Sequence, residues 1–551
     1  MVVVAALVAL AAGVPSVRAS GTDDYVLTEA YITSADGTRL QAYVYRPVAG
    51  GPTPVLLNVT PYANSGGDPL VDMDFDPLGT PTPAPGGLAD TGRLFERGYT
   101  LVVVSLRGFG GSGGCYDFGG PGEQADVAAS IRWAATQPWS TGAVGIVGHS
   151  YDGETGLMAL AAHDPALRAV VATSPPAGYH NLYMAGVRNT FMGHGLAAVY
   201  GVLDLTPPSL RSPTEQLTNS TGGTAANPAC VATVTGGSLG SDPTTPYWRD
   251  RDLIRRVGGS TVPVLLAQGF ADFNVRPTAV VSLAQGMAGP LRLLLGPWEH
   301  GIPGRGEPAF TDEVMSFFDQ YLRGGPATDV PRVRVQLPDG SWRAESAWPP
   351  ADVEVRRLTV RAGSYADGPG NFGETALPSA VPVSAPRPLP TGRGSWSISP
   401  PLAEPLHLAG SPHLDVDLAV PLTATAVGQS GVHVAGLLYD IDAAGAATLV
   451  GRGVAPVGRS GTVGLDLYPN DWVVAAGHRI GLLVTSGDDA WFEPPPLVVP
   501  VTIRGGFLRL AVLPSGHAVV PVDGPFRPRT PPAPFVVPPA TIAAATVPAP
   551  A

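Results

Sequence analysis

The chain has 551 residues, a formal net charge of −12 and two cysteines, and 44% of its residues are hydrophobic against 14% charged. This composition is that of an ordinary folding chain with room for two or three domains, which excludes a disordered protein. The acidic balance argues against nucleic acid as the main partner, because phosphate binding needs a concentrated basic face. Two cysteines exclude a thiolate zinc cage and a disulfide-dense scaffold.

The first residues have the pattern of an export signal. Residues 2–12 form an apolar run too short to span a bilayer, and the small residues Val17 and Ala19 occupy the positions that a signal peptidase reads. The sequence therefore predicts a signal peptide over residues 1–19 and a secreted protein. A buried N-terminal strand is the alternative. No later segment has the apolar length of a membrane span, so no membrane association is expected.

Residues 20–330 are predicted to form an α/β domain. Short β-like runs alternate with helical ones, which is typical of a mostly parallel sheet covered on both faces. Strands are predicted at Tyr25–Thr33, Leu40–Arg46, Val55–Thr60, Thr100–Leu106, Val144–Val147, Ala169–Thr173, Val264–Gln268 and Leu291–Leu295, and helices at Glu123–Thr136, Tyr151–His163, Pro277–Gly286 and Asp312–Leu322. The alternation stops over about residues 179–256, which are predicted to be an inserted helical cap.

Residues 331–551 have a different character. Many short alternating strands, punctuated by Gly and Pro, predict an all-β sandwich. The final stretch from Pro525 is rich in Pro and Ala, and we expect it to wrap the surface of this domain or to fray.

Ser150 is the candidate nucleophile. Residues 144–153, Val-Gly-Ile-Val-Gly-His-Ser-Tyr-Asp-Gly, place it where a buried strand is followed at once by a helix. A serine on a sharp strand-to-helix turn is typical of a nucleophile elbow, where the helix N-terminus favours developing negative charge. Asp152 replaces the usual fifth-position glycine. Gly-x-Ser alone is a weak signal, and an ordinary strand-to-helix turn is the alternative.

A base and an orienting carboxylate follow in the hydrolase order Ser, Asp, His. A serine hydroxyl is a poor nucleophile until a base takes its proton. Asp272 comes after the predicted strand Val264–Gln268, and His300 comes after Leu291–Leu295. Because the carboxyl ends of parallel strands meet at one edge of the sheet, the sequence predicts a triad of Ser150, Asp272 and His300.

Other histidines compete for the role of the base. His149 precedes the serine and is expected to point elsewhere, and His163 lies at the far end of the following helix. The rest fall in the cap or the β domain and are expected to be surface or packing residues, namely His180, His194, His407, His413, His433, His478 and His517.

Two further segments resemble ligand-binding loops only superficially. Residues 107–114 are rich in glycine but lack the Lys-Ser/Thr of a phosphate-binding loop. Residues 72–76 alternate acids with apolar residues but lack the ligand spacing of a calcium loop. Neither is predicted to bind a ligand, and no metal is expected.

The three loops of the predicted triad carry a family resemblance. Residues 148–153 resemble the Gly-x-Ser-Tyr-x-Gly elbow of the X-Pro dipeptidyl-peptidase and cocaine esterase family of α/β-hydrolases. Residues 272–277 are similar to the aspartate loop of the dipeptidyl peptidases, and residues 295–300 resemble the histidine loop of the cocaine esterases. Residues 397–418 and 477–486 resemble the family's C-terminal domain. The resemblance implies an α/β-hydrolase core with a helical cap, followed by an all-β jelly-roll (galactose-binding-like) domain.

The resemblance also implies an oxyanion hole. The backbone N–H of Tyr151, the residue after the nucleophile, would be one donor, and the hydroxyl of Tyr62 the other. Acyl transfer needs such donors, and losing one typically costs roughly 10²–10³ in rate. The alternative for Tyr62 is a packing tyrosine at a strand end.

The implied activity is that of a secreted serine hydrolase of the X-Pro dipeptidyl-peptidase type, which needs no cofactor and cleaves an amide or ester through an acyl-enzyme. Asn274 and Val275 favour the peptidase branch, whereas Pro297 and Trp298 favour a cocaine-esterase-like carboxylic ester hydrolase. Phe273 and Asn274 replace acids found in the amino-ester hydrolases, which argues against that activity.

An alternative of another class is a non-catalytic carbohydrate- or surface-binding protein with a relic hydrolase core. The expected partner is a short peptide or small molecule, and a homodimer is left open.

The two cysteines are predicted to form a disulfide. Cys115 follows the glycine-rich turn near the predicted site, and Cys230 lies in the predicted cap. An exported protein meets an oxidising compartment, where an isolated pair is usually joined. Such a bridge would tie the cap to the core, and two unrelated thiols are the alternative.

Overall fold

The computed structural model describes residues 25–62, 67–68, 71–72, 88, 92–178, 183–184, 187–188, 234, 236–238, 240, 242–272, 274–300, 307–369, 394–421, 432–486, 495–526 and 535–551. The predicted signal peptide over residues 1–19 and most of the predicted cap lie outside these residues. Within the part of the chain given above, no helix is both long enough and apolar enough to cross a membrane.

The first part of the chain alternates strands and helices as predicted. The strands are β1 (Tyr25–Thr33), β2 (Arg39–Pro47), β3 (Thr53–Thr60), β4 (Gly67–Asp68), β5 (Val71–Asp72), β6 (Thr100–Ser105), β7 (Ser140–His149), β8 (Leu167–Thr173), β9 (Tyr183–Met184), β10 (Val187–Arg188), β11 (Val264–Gly269), β12 (Leu291–Gly296), β13 (Val333–Gln336) and β14 (Trp342–Glu345). The helices are α1 (Pro121–Ala135), α2 (Tyr151–Ala162), α3 (Pro246–Arg249), α4 (Leu253–Val257), α5 (Pro277–Gly286) and α6 (Pro308–Arg323). The predicted strands and helices of this part are confirmed, with shifts only at their ends.

The second part is built of strands. They are β15 (Glu354–Val360), β16 (Gly363–Asp367), β17 (Gly394–Ile398), β18 (Leu406–Gly410), β19 (His413–Ala419), β20 (Val432–Ile441), β21 (Ala446–Val457), β22 (Gly461–Asp466), β23 (Asn470–Val474), β24 (Arg479–Thr485), β25 (Val499–Val512), β26 (Val520–Val522) and β27 (Phe535–Val536). One helix, α7 (Pro539–Ala545), follows β27.

One large sheet carries the first domain. Its strand order is β1-β2-β6-β3-β7-β8-β11-β12-β13-β14-β26, and the pairs from β6 to β13 are parallel. The central strands are apolar on both faces because helices cover both sides. Along β3, Leu57 packs into the core that includes α1, α2 and α5, and Leu56 packs into the core that includes α6. The predicted mostly parallel sheet is therefore confirmed.

The sheet continues beyond residue 330, where the sequence predicts the end of the first domain. β13 pairs in parallel with β12, β14 follows it in antiparallel pairing, and β26 returns from far along the chain to pair with β14. The side chain of Arg343 on β14 is buried and forms an ion pair with Asp471 on β23. This edge of the sheet thus joins the first domain to the second.

The second domain consists of two antiparallel sheets. One has the order β22-β19-β25-β18-β23, with β15 and β16 also paired to β25, and the other has the order β17-β24-β20-β21-β27. Leu414 and Leu508 from the first sheet and Leu438 and Leu482 from the second belong to one apolar core. The second domain is therefore mostly β, and it includes one short helix in addition to the predicted strands.

The C-terminal tail wraps the second domain and does not fray over residues 535–551. β27 pairs with β21, and the backbone groups of Arg357 and Ala551 exchange two hydrogen bonds of 3.0 Å. Val537 and Val547 are buried. The tail is ordered because its few apolar side chains cover the domain while its backbone pairs at the sheet edges, a pattern that Pro and Ala composition alone does not reveal.

The glycine-rich turn after β6 is built around an ion pair. The guanidinium of Arg107 lies 2.7 Å from Asp126 and 2.9 Å from Asp36, which fixes the turn against α1. Gly110 in this turn has φ of +56°, a conformation that glycine adopts without strain. The turn is a structural corner beside the carboxyl edge of the sheet.

Candidate active site

Ser150 lies at the end of β7 in a strained conformation, with φ of +56° and ψ of −121°. Its N–H donates to the carbonyl of Thr173 at 2.9 Å, which helps to hold this geometry. Close approach excludes a side chain at Gly148, where a Cβ would lie 2.3 Å from the backbone of Asp152. A Cβ at Gly153 would make a tight contact of 3.1 Å with the Thr173 carbonyl. The strand-to-helix turn therefore has the form of a nucleophile elbow.

Asp152, which replaces the usual fifth-position glycine, serves the architecture of this turn. Its Oδ2 accepts a hydrogen bond of 3.0 Å from Asn58 Nδ2, and that amide also donates to the Val147 carbonyl at 3.1 Å. Asp152 is fully buried. Its side chain ties the start of α2 to the neighbouring strand β3.

The structure brings Ser150, His300 and Asp272 into one hydrogen-bonded chain. His300 Nε2 lies 3.0 Å from Ser150 Oγ, and His300 Nδ1 lies 2.9 Å from Asp272 Oδ2. Because a carboxylate only accepts, Nδ1 donates to Asp272, which leaves Nε2 as the acceptor facing the serine hydroxyl. The Asp272 side chain is 0% exposed and that of His300 is 9% exposed. The arrangement can move a proton from the serine to the imidazole.

Four donors converge on the Asp272 carboxylate. Oδ1 accepts from the backbone N–H groups of Asn274 and Val275 at 2.9 and 2.7 Å, and Oδ2 accepts from Gln268 Nε2 at 3.0 Å as well as from His300. Gln268 was not among the predicted site residues. The signal that could have found it is a lone amide at the end of an otherwise apolar, buried strand, four residues before the aspartate.

Trp298 locks the aspartate and histidine loops together. The N–H of Phe270 donates to the Gly296 carbonyl at 2.7 Å, and the N–H of Ala271 donates to the Trp298 carbonyl at 3.1 Å. A Cβ at Gly269 would lie 2.0 Å from the Trp298 carbonyl oxygen, and one at Gly296 would lie 2.1 Å from its ring. The buried Trp298 thus sits between two strand ends that only glycine allows to approach so closely, and it fixes the separation of the two loops.

Gly269→Ala is expected to damage both the fold and the site. The new methyl group would collide with a backbone carbonyl, so the loop that carries His300 must move. We expect a loss of about 1–3 kcal/mol in the free energy of unfolding and a fall in kcat of about 10²-fold. Urea denaturation and steady-state kinetics measure both. Gly286→Ala is the matched control, since a Cβ there has its nearest neighbour at 3.9 Å. Wild-type stability and kcat in Gly269→Ala would contradict this account of Trp298.

His149 lies against His300, so the expectation that it points elsewhere is wrong. The two ring centroids are 4.9 Å apart with an interplanar angle of 41°, and His149 Nδ1 lies 2.8 Å from Thr173 Oγ1. The reason is that the histidine loop folds over the end of β7, where the last side chain of that strand meets it. His149 packs against the imidazole that faces Ser150.

The remaining histidines lie away from this chain of hydrogen bonds or outside the described residues. His163 caps the end of α2 in a left-handed conformation with φ of 52°. Four of those in the β domain contact carboxylates, namely His407 with Asp471, His413 with Asp466, His478 with Asp440 and His517 with Asp352. His433 is buried beside Asp367. His180 and His194 lie outside the described residues.

Both tyrosines of the predicted oxyanion hole follow strands at this edge of the sheet. Tyr151 is the first residue of α2, in the turn whose N–H groups have no acceptor within the helix. Its buried hydroxyl donates to Glu123 Oε2 at 2.6 Å and accepts from the N–H of Gly119 at 2.9 Å. Tyr62 is half-buried, two residues beyond β3, and packs against the core of the first domain.

Cys115 is half-buried and disulfide-bonded. Cys230, its predicted partner, lies outside the described residues, so the Cys115–Cys230 pairing stays a prediction. In the portion of the chain that the structure describes, no three His, Cys, Asp or Glu side chains gather closely enough to hold a metal ion.

Two domain profiles match most of the chain. The profile of the X-Pro dipeptidyl-peptidase (S15) family matches residues 36–302, and that of the X-Pro dipeptidyl-peptidase C-terminal non-catalytic domain matches residues 326–520. The chain belongs to the X-Pro dipeptidyl-peptidase (S15) family. The family predicted from the three loops is confirmed.

Individual relatives include both esterases and peptidases. A cocaine esterase from Rhodococcus sp. is 26% identical over 376 residues, which cover 60% of this chain and 61% of the esterase. A Streptomyces avermitilis protein named "Putative Xaa-Pro dipeptidyl-peptidase" is 22% identical over 82% of this chain and 76% of its own length. This chain thus spans less than two thirds of the esterase and about three quarters of the second relative.

A solved structure shows the same fold over nearly the whole chain. An aminopeptidase from the marine sediment archaeon Thaumarchaeota archaeon superimposes with a TM-score of 0.69 at 17% identity, covering 91% of this chain and 99% of that one. At this identity the likeness concerns the fold alone. It supports an α/β-hydrolase core followed by a mostly β domain.

Proposed function

We propose that the protein is a serine hydrolase of the X-Pro dipeptidyl-peptidase type, with Ser150 as nucleophile, His300 as general base and Asp272 as the group that orients His300. The observation that carries the proposal is the continuous hydrogen-bonded chain from Ser150 Oγ through His300 to the buried Asp272, in a member of the S15 family.

The proposed reaction proceeds through an acyl-enzyme. Ser150 Oγ attacks the substrate carbonyl carbon while its proton passes to His300 Nε2, and the carbonyl electron pair moves to oxygen. His300 then gives the proton to the leaving amine or alcohol as its bond to carbon breaks. A water molecule, deprotonated by His300, attacks the acyl-enzyme, releases the acid and restores the Ser150 hydroxyl.

The negative charge on the substrate oxygen is proposed to be met by the Tyr151 backbone N–H and the Tyr62 hydroxyl. Tyr151 opens α2, and the positive end of the helix dipole favours charge at this position. Tyr62 follows β3, which neighbours β7 in the sheet. Both donors therefore come from strand ends that adjoin Ser150.

Tyr62→Phe is expected to lower kcat by roughly 10²–10³-fold with little change in KM. The proposed hydroxyl binds the oxyanion and not the ground state, so its loss acts on the transition state alone. Steady-state kinetics separate the two constants. Tyr321→Phe, a half-buried tyrosine on α6, is the control. An effect confined to KM would remove Tyr62 from the oxyanion hole.

The leaving group distinguishes two branches of the family, and the chain combines features of both. The aspartate loop, with Asn274 and Val275 donating to Asp272, and both domain profiles favour a peptidase. The histidine loop with Trp298 and the cocaine esterase relative favour a carboxylic ester hydrolase as the second candidate. A dipeptidyl peptidase must also bind the substrate's α-ammonium with a carboxylate, which we expect from the cap.

Parallel assays of Gly-Pro and Ala-Pro anilides against aryl esters test the substrate class. The proposal predicts the higher kcat/KM for the X-Pro anilides. A higher kcat/KM for aryl esters would assign the esterase branch instead. Turnover of neither, together with a Ser150 that does not react with a fluorophosphonate, would favour a carbohydrate- or surface-binding protein with a relic core.

We further infer an exported enzyme whose helical cap is tied to the core. The apolar run of residues 2–12 supports a signal peptide over residues 1–19, and the disulfide-bonded state of Cys115 supports a bridge to Cys230 in the cap. The two antiparallel sheets around one core support a jelly-roll arrangement of the second domain.

A further inference from the structure

A buried acid that the triad does not use lies behind the nucleophile. Glu123, in the first turn of α1, is 0% exposed. Its Oε2 accepts from the Tyr151 hydroxyl at 2.6 Å and from the N–H of Gly119 at 2.9 Å, and its Oε1 accepts from the N–H of Asp117 at 2.9 Å. One carboxylate thus joins three elements: α1, the loop over residues 117–119, and the first residue of α2.

We infer that Glu123 is a positioning residue for the oxyanion hole, because its carboxylate holds the Tyr151 side chain and, through it, the Tyr151 backbone N–H beside Ser150. The inference rests on the proposed function, which takes that N–H as an oxyanion donor. Ser150, the preceding residue, has φ of +56°, and strained turns of this kind persist only where their surroundings hold them. The Tyr151 side chain provides part of this support, because its hydroxyl is hydrogen-bonded to Glu123 and to the N–H of Gly119.

The loop over residues 117–119, which contacts both Glu123 and Tyr151, is itself packed on both sides. Gly119 has φ of +72°, and a Cβ there would lie 2.8 Å from Glu154 Oε1, so the loop packs directly on a second buried acid. On its other side, Arg251 donates to the Phe118 carbonyl at 2.9 Å and to Asp117 Oδ1 at 2.8 Å. Glu123 therefore anchors Tyr151 to a rigid loop.

The buried carboxylate of Glu123 destabilises the fold when it is charged. Burial raises the pKa of Glu123 from its ordinary value of 4.5 to about 7, with a further contribution from the Asp117 charge, while hydrogen bonds from Tyr151 and the loop oppose the rise. Burial also raises the pKa of Glu154 well above its usual range. Because the folded protein binds the Glu123 proton more tightly than the unfolded chain, this group lowers stability as pH rises from 4.5 to about 7.

Glu123→Gln and Tyr151→Phe at pH 8 test the inference. Each is expected to lower kcat by about 10-fold, less than the roughly 10²–10³ lost with a whole donor. KM should change by less than about twofold, because the ground state does not use the oxyanion hole. The inhibition constant of phenylboronic acid should rise in step with the loss of kcat, since its tetrahedral adduct places an oxygen there. The double variant should be no worse than either single one.

Ser130→Ala is the matched control, because Ser130 is a buried polar residue of the same helix, and its hydroxyl donates to the Asp126 carbonyl one turn earlier in that helix. Wild-type kcat and boronate inhibition in both test variants, or an effect confined to KM, would overturn the inference. If Glu123→Gln does not fold, Tyr151→Phe decides alone. Fluorophosphonate labelling of the wild type separates the two proposals. An unlabelled wild type would overturn the proposed function and the inference together, whereas a labelled one with unaffected variants would overturn the inference alone.

Discussion

Ser150→Ala and His300→Ala are each expected to lower kcat by about 10⁵–10⁶-fold and to leave the protein folded. The Ser150 hydroxyl and His300 Nε2 are 3.0 Å apart and are proposed to transfer one proton between them, so removing either group disables the same step. The double variant should consequently be no slower than the single ones, because residues that act as a unit have non-additive effects.

Single-turnover and steady-state kinetics on the best substrate measure these losses, and thermal unfolding shows whether each variant folds. His163→Ala, at the opposite end of α2 from Ser150, is the control and should retain wild-type kcat. A double variant much slower than either single variant would mean that Ser150 and His300 do not form one catalytic unit.

Asp272→Asn is expected to lower kcat by about 10⁴-fold with a small change in KM. The four partners of Asp272 are all donors, so an asparagine cannot accept from all of them and must place its own N–H₂ group against at least one. Where that group faces His300, Nδ1 must become the acceptor and the ring proton moves to Nε2. An imidazole in this tautomer cannot take the serine proton.

Asp164→Asn, in the turn after α2, is the control outside the site. Asp164 Oδ1 accepts from the nearby Ala166 backbone N–H, and its Oδ2 lies 3.9 Å from Arg132. Both variants should unfold at similar temperatures. Wild-type kcat in a folded Asp272→Asn variant would show that the carboxylate does not orient the base.

The positions of the site residues could be predicted from the sequence, because a parallel sheet places residues that follow separate strands close together in space. Ser150, Asp272 and His300 each lie a few residues beyond the end of an apolar run, and a parallel sheet brings the ends of such runs to one edge. The runs themselves could be located because strands buried on both faces, such as β3 and β6, are almost uninterrupted in apolar residues.

Contacts that depend on side-chain direction could not be predicted. The approach of His149 to His300 depends on how the histidine loop folds over β7, and the bond between Glu123 and Tyr151 joins two helices whose packing no local pattern specifies. β26 is short, mostly exposed and contains a proline, so it has no strand signal of its own and pairs at the free edge that β14 offers.

Reaction with a fluorophosphonate, followed by peptide mapping, tests the central claim most directly. The account predicts one adduct, on the peptide that carries Ser150, which is absent in Ser150→Ala and forms far more slowly in His300→Ala. An adduct on another serine, or none on the folded wild-type protein, would contradict the assignment of Ser150 as the nucleophile.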